Sequence, residues 1–478
     1  MNAYGAGSRK LLSELVAHGS AAALPKVLGP FSITCMGIGA IIGAGIFVLT
    51  GTAAALYAGP AVLVSFILAA IACAFVGLCY AELAALIPVA GSTYTYTYAS
   101  LGRLAAWLVG WNLVLEYSIG SAAVAVGWSG YFTGALASMG ITVPPQLAAS
   151  TGTLVKLADG TTARAFADLP AVGIVALLTL LLILGTRESA RTNNIMVAVK
   201  LVVVLAFIAF GAGHVVTANW QPFVPPNNGT FGSFGWSGVL HGASVVFFTY
   251  IGFDAVSNCA QEAKRPQRDM PLGILGSLAI STVLYVAVAA VLVGIVPYQQ
   301  LNVPAPIGLA VERIGVPWLT FLIEAGALFG ITTAILVLLY GQSRIFAIMA
   351  QDRLMPPLFA KLHPRLQTPW ASQLMIGVVV AAVAAVVPIA TLGELVGVGT
   401  LFAFIMVCVA VWRLRALEPH AHRPFRVPLV PLVPVLGILS CIGLMIGLSP
   451  LTWTRLVLWV AIGVAIYFAF GRGKGRAQ

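Results

Sequence analysis

The sequence predicts an all-α polytopic membrane protein of about twelve transmembrane helices. Three observations carry this. Of 478 residues, 60% are hydrophobic and only 8% charged, and the mean hydropathy is +1.00. A soluble domain carries about 25% charged residues to keep its surface wetted, so the surface of this chain must face lipid. Second, twelve apolar runs approach the ~20 residues that cross hydrocarbon with every backbone polar group satisfied internally. Third, basic residues fall on one side. With the N-terminus inside and the runs alternating, twenty of the 25 lysines and arginines lie on the inner side and four on the outer, Lys200 alone lying deep within a span. This is the bias of cytoplasmic loops, and it puts both termini in the cytoplasm.

The runs are roughly 31–56, 60–87, 104–137, 170–186, 193–213, 237–259, 271–296, 316–349, 371–388, 393–412, 428–448 and 452–470. They divide the chain into a cytoplasmic N-terminal segment (1–30), a ten-helix core (31–412), a basic cytoplasmic loop (413–427), two further helices (428–470) and a cytoplasmic tail (471–478). Intrinsic disorder and a water-soluble enzyme are excluded. The net charge of +11 does not point to nucleic acid, because the basic residues are scattered between apolar runs. Five of the six cysteines sit inside those runs and Cys259 at the edge of one, without zinc spacing. They read as small core residues, and no metal or cofactor is expected. No cleaved signal peptide is expected either.

Span 1 contains GIGAIIGAGIF from Gly37 to Phe47. Gly39 and Gly43 fit a helix-packing face. The cluster Gly43-Ala44-Gly45, near midplane, predicts unwound backbone, which is tolerated only where a cavity or ligand takes up the freed groups. Freed N–H groups there favour an anion. Glu82, near the inner end of span 2, reads as interfacial. So does the run Tyr94-Thr-Tyr-Thr-Tyr98, as an amphipathic segment rather than a strand. Glu116 lies about twelve residues into span 3, roughly 18 Å deep. A carboxylate there costs several kcal/mol unless paired or hydrated, so it serves either interhelical structure or a pocket or gate.

Lys200 lies about eight residues into span 5, roughly 12 Å from its inner start. It either snorkels to the interface or exchanges protons where a sodium ion would otherwise sit. Span 6 reads VVFFTYIGFD from Val245 to Asp254, placing a glycine and a carboxylate within the run. Asp254 can bond freed backbone or take part in gating. Interrupted helices in spans 1 and 6, at matching places in two halves of five, point to a transporter site. Glu324 and Glu394, in the outer parts of spans 8 and 10, read as interfacial.

Three segments carry a resemblance: Gly37–Gly51 (GIGAIIGAGIFVLTG), Pro88–Tyr117 and Tyr250–Met270, with Tyr340-Gly-Gln-Ser-Arg344 through Asp352 in addition. Together they resemble the amino acid–polyamine–organocation superfamily, most closely the bacterial branch of the cationic amino acid transporters. The resemblance implies a leucine-transporter-like fold, a five-plus-five inverted repeat plus two helices, with helices 1 and 6 unwound at midplane. It implies a substrate carboxylate on the break at Gly43, Ala44 and Gly45, and an α-amino group at carbonyls near Ile41, Phe248, Thr249 and Ile251. Glu116 matches a family carboxylate, and Lys200 the helix-5 lysine of proton-coupled members, with Thr332 and Thr333 as hydroxyl partners. Ala44 departs from the threonine of many relatives, and Gln261–Pro266 from their cytoplasmic gate motif.

The resulting expectation is a proton-coupled amino acid symporter of a bacterial inner membrane, working by alternating access. The alternatives are an amino acid/polyamine exchanger and a carrier of arginine or lysine. A nutrient sensor would need a cytoplasmic domain, and an intramembrane enzyme paired catalytic groups; the spans supply neither. The expected partners are an amino acid, protons and lipid. A small membrane subunit or self-association is left open.

Overall fold

The computed structural model describes residues 9–12, 26–43, 45–157, 161–303, 306–387, 389–446, 448 and 450–471. All twelve apolar runs are helical, and spans 1 and 6 are each broken. The N-terminal half of span 1 is Pro30–Ile41, with proline at its first turn, where a missing N–H costs nothing. The chain leaves the helix at Ile42 and resumes with a π-helical turn, Gly45–Leu49. Span 6 runs as Gly235–Phe247, tightens into Phe248–Tyr250, and re-forms over Asp254–Glu262. Between those pieces Gly252 has φ +117°, and a Cβ there would lie 2.7 Å from the Cβ of Ala40. Only glycine allows both that backbone and that approach of the two breaks.

The other spans are Val62–Leu86 (span 2), the run from Arg103–Val114 through Gly120–Ser138 (span 3), Leu169–Leu184 (span 4) and Thr186–Ala212 (span 5). Then follow Pro266–Ile295 (span 7), Pro317–Gln351 (span 8), Trp370–Val386 (span 9), Ile389–Leu417 (span 10), Leu432–Ile446 (span 11) and Pro450–Ile466 (span 12). Asp168 starts span 4 by accepting from Ala171 N at 3.1 Å, satisfying one of the free N–H groups of the first turn. Span 2 packs extensively on span 7, span 3 on span 8, and span 4 on span 9. Each pair joins helices five places apart, the relation a five-plus-five repeat requires. Spans 11 and 12 pack outside, against spans 2, 3 and 10. Large apolar side chains are exposed along spans 4, 5, 7, 9, 11 and 12, among them Leu177, Val202, Val283, Val378, Leu439 and Val457. Lipid is the solvent that makes this surface stable.

Two expectations need correction. The tyrosine run forms the helix Ser92–Leu101, and it is buried rather than interfacial, Tyr94 and Tyr96 being fully enclosed. Tyr80 meets Thr93 (2.5 Å), and the Tyr94 hydroxyl donates to Asp352 (2.7 Å); these polar contacts make burial affordable. Glu82 is also buried, at 1% exposure. It accepts from Arg415 Nη2 (2.5 Å) and Val427 N (2.6 Å), with Arg423 at 3.3 Å. Those partners lie more than 330 residues on, beyond any local pattern. Glu324 is partly exposed, and the Glu394 side chain lies outside what is described. The pattern of apolar runs gave no sign of the hairpin of Leu154–Lys156 with Thr162–Arg164 or of the helix Pro306–Ile314.

Candidate functional site

The two breaks meet at the centre of the bundle, beside a small cavity. Ile41, Gly43 and Gly45 line it from span 1, Phe248, Thr249 and Ile251 from span 6, and Glu116 and Val124 from span 3. Leu338 and Val396 close it from spans 8 and 10. Of these, all but Phe248 are buried. Ala44 lies outside the described residues.

The electrostatics follow from the helix ends. The N-terminal halves of spans 1 and 6 both end here, turning their carbonyls, the negative ends of their dipoles, toward the centre. The C-terminal half of span 1 begins here and offers N–H groups. An amphoteric ligand with one cationic and one anionic end matches this field. The Gly45 position is tight in a specific direction. A Cβ there would lie 2.6 Å from Thr249 Cβ and Cγ2, so the absent side chain is what lets span 6 approach. Gly43 stands likewise against Ala334, and Gly39 against Asn193.

Lys200 does not snorkel. It is fully buried, and its Nζ donates to the carbonyls of Ile38 (3.0 Å), Gly39 (3.1 Å) and Ile42 (2.8 Å) and to Thr333 Oγ1 (2.8 Å). An ammonium has three protons, so the four acceptors share them. This places the amine against the carbonyl end of a half-helix, where its protonated form is favoured over that of an amine elsewhere in the span. Thr333 in turn bonds Gly39 O at 2.9 Å, so span 8 joins the same cluster. Thr332 is not part of it: its hydroxyl returns to Leu328 O at 2.7 Å along its own helix.

Glu116 faces the cavity from a π-helical turn, Leu115–Ile119. Among the described residues, neither of its oxygens has a hydrogen-bond donor at bonding geometry. The Thr400 hydroxyl is near enough to influence it, but is committed to Val396 O at 3.1 Å. Asp254 is also buried; it accepts from Gly252 N (3.2 Å) and from the Tyr117 hydroxyl. It therefore braces the span-6 break against span 3.

One residue at this centre escaped the sequence reading. Tyr285 of span 7 is fully buried, and its hydroxyl lies 2.6 Å from Ile41 O and 2.8 Å from Thr249 O. A tyrosine in an apolar span gives no sequence signal, because its reach to two other spans exists only in the fold.

At the end where span 1 begins and span 6 finishes, the bundle is shut by polar contacts. Leu28 N donates to Glu262 O (2.9 Å), and Lys264 N to Leu28 O (2.8 Å). The Glu262 carboxylate pairs with Arg344 (2.9 Å) and accepts from Tyr340 (2.5 Å), all buried. Lys10 pairs with Asp352, which the Tyr94 hydroxyl also reaches.

Comparison with known proteins fits this geometry. The family model described as amino acid permease matches residues 28–470. The chain is 45% identical over 464 residues to the methylthioribose transporter of Bacillus subtilis, covering 97% of both chains. It is 45% identical over 466 residues to the branched-chain amino acid permease BcaP of the same organism, again covering 97% of both. With the vacuolar cationic amino acid transporter 4 of Arabidopsis thaliana it shares 39% identity over 399 residues, 83% of this chain and 64% of that one. A match that runs through both broken helices and nearly every span leaves one conclusion: the chain is a polytopic membrane protein belonging to the amino acid permease family, within the amino acid–polyamine–organocation superfamily.

Proposed function

We propose that this permease carries neutral amino acids with aliphatic side chains into a bacterial cell together with protons, by alternating access. The observation that carries the reading is the Lys200 cluster beside the cavity. Its ammonium occupies a nest of three carbonyls and a hydroxyl, the ligand set a sodium ion would use, and ties spans 1, 5 and 8. A tethered amine cannot leave, so the cycle turns on its proton instead of on a travelling ion. Substrate carboxylate binds at the Gly43–Gly45 break, taking the Gly43 N–H over from Ile41 O, and the α-ammonium binds the carbonyls of Ile41 and span 6. Val124, Leu338 and Val396 form an aliphatic wall for the side chain. The likeness to a branched-chain amino acid permease supports that class.

The scattering of twenty basic residues on one side and four on the other supports cytoplasmic termini and an inner-membrane location. The Glu262–Arg344 and Lys10–Asp352 pairs then form the cytoplasmic gate, closed in this structure. Residues 31–412 act as the transport core, and the two last helices as its support.

A second reading, a cationic amino acid, is favoured by Glu116, a buried carboxylate with no donor among the described residues, which a substrate cation could neutralise. One experiment separates these readings: uptake of radiolabelled amino acids, polyamines and methylthioribose into proteoliposomes under imposed pH and sodium gradients. Accumulation of leucine, isoleucine or valine driven by an alkaline interior without sodium is the expected result. Preference for lysine or arginine selects the second reading. Sodium dependence, or uptake of methylthioribose alone, overturns the first.

A further inference from the structure

The hydroxyl of Tyr285 touches both carbonyls that the functional reading assigns to the substrate amine. Ile41 O ends the inner half of span 1, and Thr249 O lies in the span-6 break; both residues line the cavity. A phenol has one proton and serves one carbonyl at a time. Ile41 O has a second donor, Gly43 N at 2.9 Å, whereas Tyr285 is the one donor found for Thr249 O among the described residues. The carbonyl with spare capacity is therefore Thr249 O. The ring cannot move away, being fully buried and packed on Phe66 at 5.4 Å and Tyr250 at 5.2 Å between centroids.

We propose that Tyr285 is a positioning residue of the substrate site. It holds the carbonyl ends of the two broken helices at one spacing, and its proton settles on Ile41 O when a substrate ammonium takes over Thr249 O. Span 7 thereby registers an occupied site. The inference rests on the reading of the cavity as an amino acid site, and it predicts selective loss of the ammonium contact when the hydroxyl is removed.

The test is Tyr285→Phe, which keeps the ring. Tyr250→Phe is the control, since that hydroxyl goes to Phe66 O at 3.2 Å, away from both carbonyls. Binding of L-leucine and of its desamino analogue 4-methylpentanoate is measured on the purified proteins, alongside KM and Vmax for leucine uptake in membrane vesicles. For Tyr285→Phe the affinity for L-leucine falls about tenfold, as expected for losing the orientation of a charge-assisted hydrogen bond. KM rises in parallel, Vmax changes less, and 4-methylpentanoate binding is unchanged. Tyr250→Phe lowers the melting temperature without moving the leucine affinity. The proposal is overturned if Tyr285→Phe binds leucine as the wild type does, or if both ligands weaken equally, which marks a merely structural role. The vesicle KM decides the matter if the variant does not survive purification. Should the wild type bind none of the twenty amino acids, the reading of the cavity fails first and takes this one with it.

Discussion

Replacing Lys200 by Met removes a buried ammonium while keeping much of its apolar length. The structure allows the cost to be worked out. Ile38 O keeps a bond from Ile42 N (2.9 Å) and Gly39 O keeps one from Thr333 (2.9 Å), so neither is orphaned. Ile42 O has Lys200 as its one donor found among the described residues. Leaving a buried acceptor unmade costs about 1–3 kcal/mol. Against this, the variant no longer buries an ammonium, whose desolvation costs several kcal/mol. The two terms are of similar size, so the protein should still fold, with a melting temperature within a few degrees of the wild type. The loss should fall on coupling. In proteoliposomes with an alkaline interior, Lys200→Met should fail to accumulate leucine against a gradient, while counterflow exchange of leucine persists because the substrate contacts lie on spans 1 and 6. Accumulation at the wild-type rate under the same pH gradient would refute the reasoning. A wild type that needs sodium would refute it equally, since amine and ion compete for one place.

Three further outcomes are expected. Gly45→Val should abolish uptake while leaving folded protein in the membrane, because its Cβ would press on Thr249 and drive spans 1 and 6 apart; normal uptake would make the glycine a mere packing contact. Isoamylamine, which is leucine without its carboxylate, should compete about a hundredfold less well than leucine, the loss of one or two charge-assisted hydrogen bonds at Gly43–Gly45; equal competition removes the carboxylate assignment. Glu262→Gln leaves Arg344 buried without its counter-charge, a loss of about 3–5 kcal/mol to the closed state. A cysteine introduced at Asn258 should then react faster with a thiol reagent applied from the cytoplasmic side, and an unchanged rate would show that the pair does not gate.

Much of the architecture is legible in the chain because lipid imposes a simple code. An apolar run of sufficient length has to be a helix, so the spans follow from composition alone, and a glycine cluster in span 1 and a glycine with a carboxylate in span 6 mark where the code is broken. Lys200 is legible for the same reason, as the one basic residue deep in a span. What stays hidden is whatever depends on which spans become neighbours. Glu82 reads as interfacial until Arg415 and Arg423 are brought beside it, and Tyr285 is one aromatic among many until its hydroxyl reaches two breaks. Thr332 and Thr333 are equivalent on paper. Their difference is a rotation of about 100° along one helix, which turns Thr333 toward the amine and Thr332 back along its own helix.

The pairing of Leu28 with Glu262 and Lys264 has a mechanical meaning. Two backbone hydrogen bonds strap the start of span 1 to the end of span 6, so the inner halves of the two broken helices are yoked. Either they swing as one lever or the strap breaks each time that end of the bundle opens. Such bonds belong to no side chain, so only proline, at 28 or at 264, deletes one. Together they are worth about 1–3 kcal/mol net, enough to keep the yoke closed most of the time. It is also small enough for thermal motion to release within the microseconds to milliseconds of collective helix movements. The strap thus behaves as a latch whose strength is set by the backbone and is insensitive to most sequence drift around it.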